Sequence, residues 1–424
     1  MVIVILKIYL VFIFILMLSY AVRHAIFAYH RIYRKQRLYY GSIQDSELPP
    51  VSILIPMYNE EQVLEYVLDA LLECDYPKDL MEIIPINDNS TDKTKELLDK
   101  YEKKYDIIKP IHRHSELRGK VAGLNDALKI VKNEIILVFD ADYRPSKELI
   151  NQLVLAFKDP EAGAVMGRVI PHNASTNWLT RLLNLERSGG YQADQQARYN
   201  LRTVPQYGGT VGGFRKSLVL EEGGFDARVL AEDTELTFSL FTKGWKVIYA
   251  NSAECYEEVP ENWNVRARQI RRWSRGHNQV MFKYFFPVMF SKHMNFREKA
   301  DGLLLLMVYL VPALFALGLI DSLALFFLGE INVLTGWWVI LFIGAYNSYG
   351  NFAPFYEIST AALIDGIKND VLLLPLLTFN FYFYLWNITL GLLDALADSI
   401  SGRYVHWAKT ERFAKPKGEG GKAK

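Results

Sequence analysis

Residues 134–142 read Glu-Ile-Ile-Leu-Val-Phe-Asp-Ala-Asp, an unbroken apolar run that stops on two carboxylates two positions apart. A strand apolar on both faces belongs in a sheet covered from both sides, the usual arrangement of parallel sheets. Upstream, Val51 to Ile55 is a similar run ended by Pro56, Glu82 to Ile86 is another, and a further strand is expected over 107–111. Helical patterns separate them. Val63, Leu64, Val67, Leu68 and Leu71 recur at helical spacing within 61–72, and Tyr76-Pro77 stops them. A charged helix starts at Ser90/Thr91 and runs to Lys104, and another covers 122–131. Strands alternating with helices predict an α/β fold with a parallel, Rossmann-like sheet.

Ligands of such sheets bind beyond the carboxyl ends of the strands. Those ends carry Tyr58-Asn59-Glu60, Asn87-Asp88-Asn89 and Asp140-Ala141-Asp142, so three strand ends bring polar or acidic groups to one rim. Side chains two apart on a strand share a face. Asp140 and Asp142 therefore repel unless a cation joins them, and with diphosphate oxygens they suit Mg2+ or Mn2+. An acidic pair after a strand is also an ordinary solvated turn. Asp88 can accept from a base N–H or a ribose hydroxyl, or cap the next helix together with Asp92. Arg118-Gly119-Lys120 opens a helix, where free N–H groups and basic side chains favour phosphate; an exposed basic first turn reads the same way. His112 and His114 are too few for a metal centre and read as a polar strand end.

Downstream, Glu232 and Asp233 follow a Gly-Gly-Phe-Asp turn at 223–226 and open a helical pattern to Lys243. A carboxylate there can take a proton from an attacking hydroxyl. Acidic residues in a first turn also simply complement the helix dipole. Gln269, Arg272 and Trp273 fall on one helical face, offering a guanidinium to a departing diphosphate and an indole to a sugar ring. The competing reading is an interfacial helix, with Arg266, Arg268, Arg271 and Arg275 on lipid headgroups and Trp263 and Trp273 as anchors.

Half of the 424 residues are hydrophobic, high for a soluble protein. The excess lies in 2–29, 303–328, 333–353 and 371–396, each long enough to cross a hydrocarbon core of about 30 Å. The first stretch lacks a small-x-small cleavage site and runs into Arg23, His24, Arg31, Arg34, Lys35 and Arg37. It reads as a retained anchor with the following chain in the cytoplasm. The basic tail belongs on the same side, which three later crossings do not allow, so one stretch is expected to be re-entrant or split around Pro354 and Asp365. Asn347, Tyr349, Asn351, Asn380, Trp386 and Asn387 lie within these stretches and are expected to face protein or a cavity. A net charge of +1 argues against nucleic acid as partner, and Cys74 and Cys255 lack metal-ligand spacing. The expected plan is an anchor at 1–29, a catalytic domain at 50–260, interface helices at 261–300, membrane helices at 301–400 and a basic tail at 401–424. No HExxH, GxSxG, Walker A or GxGxxG signature supports other chemistry.

The ordered set of Asp88, the Asp-Ala-Asp at 140–142, the Ala-Glu-Asp at 231–233 and the Gln-Ile-Arg-Arg-Trp at 269–273 resembles the inverting family 2 glycosyltransferases. The resemblance is specifically to the membrane-embedded processive branch of cellulose, chitin, hyaluronan and poly-N-acetylglucosamine synthases. It covers 51–280 and implies a GT-A fold, a UDP-sugar donor and Mg2+ or Mn2+. Tyr58, Glu60, Asp88, Lys120, Asp140, Gln269 and Arg272 would bind the donor, and Asp140 and Asp142 the metal. Asp233 would be the base, with Glu232 and Arg272 also catalytic, and Trp273, Gly209 and Thr210 would meet the acceptor. The implied activity is hexosyl or N-acetylhexosaminyl transfer with inversion to a growing polysaccharide, coupled to export. The alternative is addition of a single sugar to a membrane lipid. The acceptor is thus a glycan or lipid-linked, membrane lipids are partners, and no accessory protein is required. The implied location is the plasma membrane, multi-pass, with the catalytic domain cytoplasmic. Asn87 departs from the family's first aspartate and Ala231 from its threonine, while 407–412 resembles a cytoplasmic closing segment of relatives.

Overall fold

Val51, Ile53, Leu54 and Ile55 are fully enclosed, because successive side chains of this strand serve two different cores. Ile53 and Ile55 pack with Leu64, Val67, Leu68 and Leu98 on one side of the sheet, and Leu54 packs with Leu124, Ala127 and Leu128 on the other. The computed structural model describes residues 1–37, 48–330, 353–401 and 409–413. β1 (Val51–Met57) pairs in parallel with β2 (Met81–Asp88) and β4 (Ile135–Val138), and β2 with β3 (Ile111–Arg113). β3 begins later than the apolar run at 107, where Ile108 makes only an isolated bridge to Ile83. Pro110, which has no N–H to give the ladder, separates the two. The intervening helices are α1 (Val2–Tyr33) before the sheet, then α2 (Leu64–Leu72), α3 (Thr94–Lys104) and α4 (Lys120–Ile130).

The sheet is mixed rather than wholly parallel. β5 (Arg144–Pro145), β6 (Ala162–Pro171), β7 (Gly212–Arg215) and β8 (Lys246–Glu257) complete an eight-stranded order β3-β2-β1-β4-β7-β6-β8-β5. β7 runs antiparallel to both β4 and β6, β8 is parallel to β6, and β5 is antiparallel to β8. Two glycines let β7 sit between its neighbours: a Cβ on Gly212 or Gly213 would lie 2.3 Å from the carbonyl oxygen of Val165 or Ile136.

The helices α5 (Leu149–Leu155), α6 (Trp178–Ser188), α7 (Gln196–Leu201), α8 (Lys216–Glu221) and α9 (Glu232–Thr242) flank the sheet, with a π-helical turn at Gly189–Gln195. Then come α10 (Trp263–Phe290), α11 (Phe296–Met307), α12 (Val311–Phe327), α13 (Ala353–Ile364) and α14 (Leu377–Ser401). Two helical segments are long and apolar enough to cross a membrane, Val2–Tyr33 with mean hydropathy 2.9 and Lys368–Ser401 with 1.5. The stretch 303–328 is not one straight span. α11 and α12 meet at 71°, where Pro312 lacks an N–H and its ring crowds the carbonyl four residues back. Counted as one bent span, the pair makes three crossings. Among the described residues this bend lies at 308–310, and the chain also turns at Asp365, whose carboxylate accepts from Arg168, Ser188 and Gln192. The stretch 333–352 lies outside the described residues, with Asn347, Tyr349 and Asn351. Asn380 does face protein, donating to Glu186. Asn387 donates to Phe383 of its own helix, and Trp386, at 68% exposure, faces outward instead.

Candidate active site

A cavity of about 640 Å3 opens at the carboxyl ends of the parallel strands. Tyr58 and Glu60 reach it from beyond β1, Asp88 from β2, and Asp140 and Asp142 from beyond β4; Lys120 enters from the start of α4. Thr210 comes from the loop before β7, Glu232 and Asp233 from the first turn of α9, and Gln269, Arg272 and Trp273 from α10. Gly209 lies directly behind Asp233. Its φ is +71° and a Cβ there would stand 3.1 Å from the Asp233 Cβ, so the loop passes close to the carboxylate only as glycine. The other residues anticipated from sequence all line the cavity.

Charge on the strand-end rim is balanced by cations of the chain. The Lys120 Nζ lies 3.1 Å from Asp140 Oδ1 and 3.2 Å from Glu232 Oε1, and donates to the Gly209 carbonyl at 2.9 Å. Burial disfavours the ammonium, yet Asp140 and Glu232 hold its pKa above the ordinary lysine value. The Asp140 N–H donates to Thr210 Oγ1 at 3.0 Å, which fixes the loop carrying Gly209. Asp88 does not cap α3. Asp92, two residues ahead of the helix, accepts from the Thr94 N–H at 3.0 Å, while Asp88 accepts from the Gly119 N–H at 2.6 Å and Arg113 Nη1 at 2.5 Å. It thereby holds the turn that opens α4, where Gly119 has φ 107°.

Arg113 and Arg412 are residues of the site that no motif points to. Arg113 comes from β3. It is buried, pairs also with Asp126 at 2.9 Å, and donates to the Leu117 carbonyl. The available signal is register, since Asp88 and Arg113 are directly paired positions of β2 and β3. The neighbouring His112 is indeed a polar strand end, bonded to Asp99 and Asn87.

Arg412, far along the chain, donates to Asp142 Oδ2 at 2.6 Å and to both oxygens of Glu60 at 3.0 and 2.8 Å. Lys409 lies 3.3 Å from Glu60 and donates to the Asn59 carbonyl. Even so, burial, with Asp140 and Glu60 nearby, raises the Asp142 pKa to about 7 against the opposing pull of Arg412. No cluster of three metal-ligating side chains exists among the described residues. Asp140 and Asp142 nevertheless fit a divalent ion: they are hard oxygen donors on a cavity with room for diphosphate oxygens to complete the shell.

The α10 wall differs. Arg272 is half-buried and has no carboxylate within ion-pair distance among the described residues; its polar contact is Thr410 Oγ1 at 3.5 Å. Burial lowers its pKa. Glu232, Asp140 and Asp233 oppose that shift, and a guanidinium with no ion pair in contact suits an anionic ligand. Gln269 accepts from Arg266 at 2.8 Å. The Trp273 ring has the Arg187 and Arg266 guanidinium carbons 5.2 and 5.1 Å from its centroid, within cation–π range. The headgroup reading of the other arginines needs correcting. Arg271 and Arg275 pair with Asp394 and Asp398 of α14, at 2.6 and 2.5 Å, and Arg266 is buried against Glu186. Leu305, Val308 and Tyr309, at the break between α11 and α12, form part of the cavity wall.

Asp233 stands between the two walls. Burial first, then repulsion from Glu232, raises its pKa to about 6, against a hydrogen bond from the Thr234 N–H. That N–H donates to Asp233 Oδ1 at 2.6 Å. A carboxylate so poised is matched to taking a proton near neutral pH.

Residues 52–220 match the family described as glycosyl transferase family 2. A probable glycosyltransferase of Bacillus subtilis, YdaM, is 32% identical over 379 residues, covering 87% of this chain and 88% of that protein. The chain belongs to glycosyl transferase family 2. The beta-monoglucosyldiacylglycerol synthase of a Nostoc species is 32% identical over 289 residues, 66% of this chain. The chain matches 60% of that relative's length, less than two thirds. Among solved structures, the mannosyltransferase PcManGT of Pyrobaculum calidifontis, in complex with GDP-Man and Mn2+, superposes with TM-score 0.57. The match covers 84% of this chain and 98% of that one at 21% identity, a likeness of fold.

Proposed function

We propose that this glycosyltransferase transfers one sugar from a nucleoside diphosphate sugar, most simply a UDP-sugar, to a membrane lipid. The observation that carries the lipid half is the cavity wall at Leu305, Val308 and Tyr309. It sits where α11 breaks into α12, so an apolar acceptor can reach Asp233 from the membrane helices. Similarity to the Nostoc diacylglycerol glycolipid synthase favours this acceptor over the growing polysaccharide that the sequence resemblance first implied. The catalytic domain then lies against the membrane, with α1 and the Lys368–Ser401 segment as spans.

Asp233 takes the proton of the acceptor hydroxyl, whose oxygen attacks the anomeric carbon opposite the leaving nucleotide, so the configuration inverts. Glu232 sustains the raised basicity of Asp233, and Arg272 meets the charge that develops on the departing diphosphate. Trp273 with Gly209 and Thr210 shapes the acceptor side. Tyr58, Asp88 and Gln269 border the donor, and Glu60 with Arg412 closes its outer edge. Asp140 and Asp142 would hold Mg2+ or Mn2+, which when bound supplies Lewis acidity at the diphosphate.

The test is a donor panel on the full-length protein in detergent, with a bacterial lipid extract and Mg2+ or Mn2+. Release of UDP that requires both the lipid and the divalent ion supports the reading. UDP release that ignores lipid and follows an added oligosaccharide removes it.

A further inference from the structure

The Thr234 hydroxyl has one proton and two acceptors at nearly equal distance. Asp233 Oδ1 lies 3.4 Å away and His277 Nδ1 lies 3.5 Å away. Gln206 Nε2 donates to the hydroxyl oxygen at 2.9 Å, which fixes the oxygen and leaves its hydrogen free to choose. His277 is well defined on its other side. Its Nε2 lies 2.9 Å from the Leu305 carbonyl, which only accepts, so Nε2 carries the hydrogen and Nδ1 presents a lone pair to Thr234. The imidazole is buried and stacks edge-on with Tyr309 at 5.0 Å.

We propose that His277 is a positioning residue for the base: its Nδ1 receives the Thr234 hydroxyl hydrogen when Asp233 takes up the proton of the acceptor. The inference rests on Asp233 being that base. Before transfer, the ionised carboxylate attracts the hydroxyl. Once Asp233 is protonated that contact loses its charge, and the hydroxyl turns to the neutral imidazole at the cost of no bond. Without Nδ1 the hydroxyl stays committed to the carboxylate and weakens it as a base.

Burial holds the His277 pKa down at about 4, so the ring stays neutral over the working range. Asp233 is faced by Glu232 on its own helix, Lys120 of α4, Arg272 of α10, and the phenols of Tyr191, Tyr207 and Tyr309. Asp140 shares Lys120 with this group, and Arg198 of α7 is the cation that bears on His277. The substitutions below leave all of these in place.

Asparagine and glutamine separate the two ends of the ring, because an Asn amide oxygen can replace the Nδ1 lone pair and a Gln amide nitrogen can replace the Nε2 donor. The measurement is the pH profile of kcat/KM for the full-length protein in detergent. His277→Gln should move the acid limb down by about half a pH unit, and His277→Asn should keep it at the wild-type position. Thr234→Val, alone or combined with His277→Gln, should leave the limb at or above wild type. A His277→Asn limb that falls while His277→Gln holds would show that the tie to Leu305 matters and overturn the proposal, as would a fallen limb in Thr234→Val. An active Asp233→Asn enzyme would instead remove the base reading itself.

Discussion

On the strand-end rim each carboxylate faces a cation of the same chain: Asp88 meets Arg113, Asp140 meets Lys120, and Asp142 meets Arg412. On the opposite wall Arg272 is half-buried with no carboxylate at ion-pair distance among the described residues, and the indole of Trp273 lies beside two guanidinium groups. The rim is therefore organised before any ligand arrives, held by internal ion pairs that also set the loops. On the α10 wall the Arg272 guanidinium makes no ion pair among the described residues, whereas Arg187 and Arg266 are paired with Glu257 and Glu186. A ligand with a diphosphate complements that wall, and the same helix turns Arg271 and Arg275 outward to fasten α14.

Four substitutions probe the contrast. Asp233→Asn, between the walls, should lower transfer by on the order of 10²–10⁴ while UDP affinity by calorimetry holds. In the wild type, kcat/KM should fall below a pH of about 6, where Asp233 becomes protonated and loses its role as base. A limb at the ordinary carboxylate range would point to a different base. Arg272→Ala should cost on the order of 10²–10³ in rate, and salt should not rescue it; an unaffected rate would mean that the unpaired charge serves only packing. Arg113→Ala should act on the rim through structure, leaving Asp88 buried without its partner. The expected loss is about 3 kcal/mol in urea unfolding, with weaker donor binding following from the loosened Gly119 turn. Arg271→Ala should change least. Its pair with Asp394 is largely exposed, so stability should move by less than about 1 kcal/mol and the rate should stay at wild type. If Arg271→Ala matched Arg272→Ala, the two faces of α10 would not be functionally distinct.

Much of the strand-end rim was legible because each of its parts is local. An apolar run fixes β1 or β4, and the residues just beyond it must emerge at the carboxyl end. The helical spacing of Gln269, Arg272 and Trp273 likewise put them on one face without tertiary information. β7 was not legible, since its Gly-Gly-Phe-Arg carries no apolar period and owes its place to close backbone approach at Gly212 and Gly213. Arg113 and Arg412 were hidden for another reason. Each acts through a partner supplied by a different part of the fold, Arg412 across 270 positions to Asp142. The acceptor was hardest to read, because the Gln269 to Trp273 pentad serves polymer and lipid alike. The proposal of a lipid acceptor rests on the bend between α11 and α12, the cavity wall beside it and the similarity to a glycolipid synthase.

The most direct test of the account is the mass of the product. Full-length protein in detergent, Mn2+, dioleoylglycerol and each of UDP-glucose, UDP-galactose and UDP-N-acetylglucosamine should yield, with one donor, a lipid heavier by a single sugar residue. A ladder of products whose length grows with time, made without lipid, would contradict it.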